Sequence, residues 1–395
     1  MTQAAILHAD SIVSEARLSV WGAVPWYVWC ALAGITSVMV GVQWDISWHV
    51  SIGRDTFWTP AHVAIYMCGV LSGTAYGYLV FKTTFDSAAV GLRAASVNIF
   101  GLRGPLGAFI AGWGGITMLT SAPFDNWWHN AYGLDVKIVS PPHMVLFAGI
   151  FAVIIGTLVL IASLQNRAVQ VEVQSLYRAM FLFVCSVLLV MSQVILMEFT
   201  QRQFLHMYQP YIVIALVIPA ILGAARRGTQ FPWAATCVCG FYTVYRVGLI
   251  LVLPLFPAEP KIGPVFHRVT QFIPPDFPLL ILIPAVLLDL FWGRTGKCPR
   301  LLRVLGASAL FVAAFSIVQW PFSDFLQSPW SRNWFFGTEY MGFGTRPTSL
   351  KALHLFFATD SPAEFARGLL VAWFVGAFSL LFGEGRGEWL RRIQR

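Results

Sequence analysis

Two short stretches of this 395-residue chain repeat one arrangement of carboxylate and imidazole groups. The first, WDISWHVSIGRDTFWTPAH, runs from Trp44 to His62; the second, FDNWWHNAYGLDVKIVSPPH, runs from Phe124 to His143. At an offset of 80 residues, Asp45, Trp48, His49, Gly53 and Asp55 match Asp125, Trp128, His129, Gly133 and Asp135. After one inserted residue, Pro60 and His62 match Pro141 and His143. Asp and His four residues apart lie on one face of a helix, one turn from each other. Asp45 with His49, and Asp125 with His129, can therefore aim at one point. The return of 13 or 14 residues ends at a Pro-led helix start, which Pro suits, and brings His62 or His143 in to close the set. Two imidazoles and one carboxylate with open positions suit copper, iron or zinc, and the residue types alone do not choose among them.

The repeated Asp55 and Asp135 are either outer partners of imidazole N–H groups or helix caps and loop charges. Gly53 and Gly133 serve turns. Trp44, Trp48, Trp58, Trp127 and Trp128 form the aromatic belt expected where helices meet a membrane–water boundary.

Positioning these groups is a task for membrane helices. The chain is 57% hydrophobic and only 11% charged, against roughly 25% charged in a soluble domain. Ten windows hold the roughly 20 apolar residues a crossing needs: 23–44, 60–82, 105–123, 142–164, 177–199, 210–225, 232–256, 276–292, 301–320 and 363–383. The expected fold is an all-α polytopic membrane protein of about ten transmembrane helices, with the helical hairpin duplicated in the first four. It divides into an N-terminal cytoplasmic segment (1–22), a four-helix metal-hairpin unit (23–164) and a six-helix C-terminal unit (165–395) with a long outer loop at 321–362. With both termini cytoplasmic, 16 Lys and Arg fall inside and nine outside, as positive-inside sorting requires. That orientation puts seven of the eight histidines and 11 of the 18 acids on or near the outer face. The N-terminus lacks the charged, apolar and cleavable parts of a signal peptide and reads as a retained segment.

The net charge of +8 is spread over short loops, which speaks against nucleic-acid binding. Six cysteines, five of them inside apolar runs, give no disulfide framework. Phosphate-binding loops, serine-hydrolase elbows and H-E-x-x-H zinc motifs are absent. In the second half, Glu198, Arg202 and His206 share a stripe if the fifth helix continues, as a salt bridge or as a further ligand or proton relay. Arg246 lies inside the seventh span and needs a partner, for which Asp289 is the candidate. The Pro-rich loop 257–278, with His267, reads as an outer cap, and loop 321–362 reads as a cover over the metal hairpins. His354 reads as a structural residue on an amphipathic helix.

DISWHVSIGRDTFWTPAH resembles the metal-binding motif in the C subunit of the copper membrane monooxygenases, the family of particulate methane and ammonia monooxygenases. The resemblance spans Asp45 to His143, a quarter of the chain. It implies Asp45, His49 and His62 as ligands of one site and Asp125, His129 and His143 as ligands of a second, with Asp125 where the family has Asn. It further implies copper as cofactor, O2 and a small apolar substrate reaching the site through the lipid bilayer, and companion oxygenase subunits. The expected location is the bacterial cytoplasmic (inner) membrane, with the sites near the periplasmic face. A non-catalytic copper-binding, transport or assembly protein, and a structural partner with unused sites, are the other readings the residues allow.

Overall fold

The computed structural model describes residues 21–53, 56–133, 140–353 and 359–395. Long helices dominate: α1 (Trp26–Ser51), α2 (Pro60–Phe85), α4 (Leu106–Tyr132), α5 (Pro141–Arg167), α6 (Val171–Leu196), α7 (Tyr208–Thr229), α8 (Ala234–Val252), α10 (Arg300–Gln327) and α11 (Pro362–Arg392). Two shorter helices, α3 (Val90–Ala94) and α9 (Leu282–Arg294), and a small hairpin of β1 (Val97–Ile99) and β2 (Leu102–Gly104) complete the order. Among the described residues, eight helices are long and apolar enough to cross a membrane, which makes the protein a multi-pass helical membrane protein.

The eight leave out two of the ten expected spans. α4 is long enough, at 27 residues, but Gly, Ser, Thr and the polar end from Asp125 onward dilute its apolarity. The 276–292 window yields only the 13-residue α9, because Pro274, Pro275 and Pro278 keep the preceding residues out of helix. Elsewhere two helices outrun their windows. α4 passes Pro123 and α10 passes Pro321, so the outer loop begins at Ser328 and not at Pro321. A missing N–H at these positions is tolerable where helices pack on all sides.

Close approach of small residues sets the packing. A Cβ on Gly114 of α4 would stand 2.7 Å from the Gly149 carbonyl of α5, and one on Gly149 would stand 2.8 Å from the Gly114 carbonyl. The α7–α11 pair behaves alike: a Cβ on Gly387 would meet the Ala224 carbonyl at 2.7 Å. Without a hydrophobic force between helices in lipid, such backbone contact is what holds them. One continuous apolar core then runs from Val24 through Leu390.

The loops that follow α8 are ordered against the end of α1. Ser47 Oγ donates to the Ile273 carbonyl at 2.6 Å, and Ile273 N–H donates to Ser51 Oγ at 2.8 Å. Lys261 N–H donates to the Ile52 carbonyl at 2.8 Å, and Phe343 N–H to the Val50 carbonyl at 3.1 Å. Both loop segments therefore cap the helix that carries Asp45 and His49. At the opposite end of the bundle, Glu384 is buried among Arg227, Arg300 and Arg303, at 3.6, 3.2 and 3.9 Å.

Candidate metal centres

The first donor set forms where α1 ends and α2 begins. Asp45 and His49 face the same way, one turn apart on α1. Thr59 caps α2, its Oγ1 accepting the His62 N–H at 3.1 Å, and Pro60 fills the first helical position. This fixes the backbone of His62 against α1. His62 Nε2 lies 3.2 Å from Asp45 Oδ1, and His49 Nε2 lies 3.7 Å from Asp45 Oδ2.

The same arrangement recurs where α4 ends and α5 begins. His129 Nε2 and His143 Nε2 lie 3.3 and 3.4 Å from Asp125 Oδ1. Asp125 and His129 are buried; His143 is half-buried. In each set the three donor atoms all lie within 4.8 Å of one another. Two donors bound to one ion at tetrahedral angles stand about 3.4 Å apart, so the spacing fits a shared cation.

A second layer fixes the imidazoles. His62 Nδ1 lies 2.7 Å from the Phe57 carbonyl, and His129 Nδ1 lies 3.0 Å from the Gly133 carbonyl. A carbonyl can only accept, so in both rings Nδ1 is the donor and Nε2 is the nitrogen on the carboxylate side. This is the tautomer a metal ligand needs. The Gly133 backbone sits at φ +100°, and Gly53, the matching residue after α1, at φ +84°. Such angles favour glycine.

The two sets border one cavity. A space of about 60 Å³ is lined by Asp45 and His62 from the first and by Asp125 and His143 from the second. Tyr66 and the apolar side chains of α1, α2, α5 and α6, among them Ile46, Phe147 and Val194, line the rest.

No family model, curated protein or solved structure matches this chain. The site is therefore read from its own residues.

Several expected partners lie elsewhere. Asp55, Asp135 and His354 fall outside the described residues. The stripe of Glu198, Arg202 and His206 does not form, because α6 ends at Leu196 and a short turn follows at Arg202–Phe204. Glu198 is exposed, Arg202 pairs with Asp276 at 2.7 Å, and buried His206 faces Asp324 at 2.9 Å. The Arg202 guanidinium holds the half-exposed Asp276 carboxyl down to about 2. Arg246 does not meet Asp289: it donates to Gln43 Oε1 at 2.9 Å and to the Asp276 carbonyl at 2.7 Å. Asp289 instead accepts the Thr236 N–H at 2.7 Å and the Thr236 hydroxyl at 2.8 Å, capping the first turn of α8. The Phe57 and Gly133 carbonyls were missed. Only the recurrence of glycine at 53 and 133 hinted at either.

Proposed function

We propose that this chain is a membrane metalloprotein whose two donor sets hold transition-metal ions, copper foremost, in the service of O2-dependent hydroxylation of a small apolar substrate. One observation carries the reading: in each set a single aspartate stands 3.2–3.7 Å from two imidazole Nε2 atoms. The backbone-bound Nδ1 atoms of His62 and His129 support it, since they make Nε2 the nitrogen that would ligate a cation. Copper and the oxygenase chemistry rest on the resemblance to the monooxygenase C subunit.

Copper, when bound, supplies the activation of O2. The chain's own residues do the rest. Asp45 and Asp125 provide the anionic charge that offsets the cation, and the histidines orient it. The aliphatic and aromatic part of the wall around the 60 Å³ space is where a small apolar molecule would lie beside the donors. In this reading α4 and α9 cross the bilayer with the other eight helices, both termini are cytoplasmic, and the donor sets lie near the periplasmic face of a bacterial inner membrane. The arginines around Glu384, at the end away from the donor sets, favour that sidedness. Companion subunits or a separate donor supply the electrons.

Metal analysis of the purified full chain tests the proposal, with copper, iron and zinc read together. Wild-type protein is expected to carry metal, and His49→Ala and His129→Ala each to lose part of it, the double variant all. Near-zero metal in every form overturns the reading. Metal without O2 consumption coupled to product would favour a copper-holding or assembly role over catalysis.

A further inference from the structure

A second chamber, separate from the metal donors, lies beneath the ordered loops. It has a volume of about 290 Å³, near the lower end of the roughly 300–1,000 Å³ typical of small-molecule pockets. Exposed Lys351 and half-exposed Asp276 stand among its lining residues, as do buried Gln43 and Gln193. Arg202 and Arg246 complete its charged lining. Three cations against one carboxylate leave a net charge of +2, and that carboxylate is already gripped by Arg202 at 2.7 Å. Arg246 and Lys351 thus supply positive charge that the lining does not neutralise.

Two buried donors in this lining lack an acceptor among the described residues. They are the Arg246 Nε–H, whose two terminal nitrogens are engaged by Gln43 and the Asp276 carbonyl, and the Gln193 Nε2 amide. Gln193 is 8% exposed and sits on α6, among apolar neighbours. A buried donor left without an acceptor is costly, and a cationic chamber lined by two of them is arranged to receive an anion's oxygens.

We propose that this chamber binds an oxoanion of the phosphate class, held by Arg246 Nε, Gln193 Nε2 and Lys351 Nζ. The donors come from three separate elements, α8, α6 and the loop before α11, which suits a group carrying oxygens in several directions. A planar carboxylate is better served by a free guanidinium fork, and here the Arg246 fork is occupied. Ile46 and Val194 line both this chamber and the small space between the metal donors, so the two are neighbours divided by aliphatic side chains. The proposal does not depend on metal occupancy.

The test uses the full chain in detergent, with thermal unfolding as readout and two probes: inorganic phosphate and dihexanoyl phosphatidylglycerol. At least one probe is expected to raise the wild-type midpoint, beyond the effect of sodium chloride at matched ionic strength. A response to inorganic phosphate identifies a free anion as sufficient; a response to the lipid alone identifies a headgroup. Lys351→Gln, at an exposed position, is expected to keep the ligand-free midpoint and to weaken the responding probe about tenfold. Gln193→Leu, of similar volume, is expected to weaken it as well. No shift with either probe, a shift equalled by chloride, or equal shifts in wild type and both variants would overturn the assignment. Metal content, measured on the same samples, is expected to stay unchanged in Lys351→Gln, which separates failure here from failure of the metal reading.

Discussion

The Nδ1 of His129 lies 3.0 Å from the carbonyl oxygen of Gly133, four residues further on, so a donor-set imidazole is held by the turn that ends its own helix. Gly133 has φ +100° and ψ 167°, a combination essentially restricted to glycine. Gly133→Ala is expected to cost about 1–3 kcal/mol of strain or to move the carbonyl away. Losing such an outer partner typically weakens metal affinity roughly 10–100-fold. Chelator competition should therefore show weaker binding at the Asp125 set and unchanged binding at the Asp45 set.

The α4–α5 crossing gives a matched pair of substitutions. A Cβ on Gly114 would stand 2.7 Å from both the Gly149 carbonyl and the Val153 nitrogen, whereas nothing lies within 4 Å of one on Gly112. Gly114→Ala is expected to push the helices apart, costing about 1–3 kcal/mol, and to loosen the set that Asp125, His129 and His143 form across them. Gly112→Ala on the same helix is expected to leave stability and metal content intact. Unfolding midpoints and metal stoichiometry of the two variants, side by side, decide the point.

Glu384 is 3% exposed and faces three arginines. Glu384→Gln keeps the shape and removes the charge, leaving Arg227, Arg300 and Arg303 to repel one another. The arginines left behind are 14–57% exposed and screened by water, so the expected loss is about 1–2 kcal/mol, the scale of a lost charged hydrogen bond. Because the cluster lies at the end away from the donor sets, metal stoichiometry in the folded fraction is expected to be unchanged.

The Arg202–Asp276 bridge predicts a pH dependence. The Asp276 carboxyl is held at about 2, below the roughly 3.9 of an unfolded chain. Its contribution is fully present above the unfolded value and is lost as pH falls through about 2. Comparing wild type with Asp276→Asn, the gap in unfolding midpoint should be constant from pH 7 to about 5 and close as pH approaches 2. A gap that widens on acidification would contradict the assignment.

The donor sets were legible in the sequence because their geometry is local. Asp45 and His49 share one helix turn, and Thr59-Pro60 announces where the next helix places His62. Among the polar partners the failures are tertiary. Arg246 found Gln43 and a main-chain carbonyl, and no side-chain inventory lists carbonyls. Arg202 and His206 were drawn out of a common helix by Asp276 and Asp324, which lie in distant parts of the chain. The chamber of Gln193 and Arg246 was invisible for the same reason: its lining joins α1, α6, α8 and three connecting segments.

The four helices bearing the donors are 26 or 27 residues long, and each carries its donor side chains toward one end. At about 1.5 Å per residue they measure about 40 Å, longer than the roughly 30 Å acyl region of a bilayer. Centred in a bilayer, helices of this length would hold His49, His62, His129 and His143 near the edge of the acyl region and Asp45 and Asp125 about one turn deeper. A carboxylate at that depth is costly unless imidazoles or a cation accompany it, and a thicker bilayer would raise the cost further.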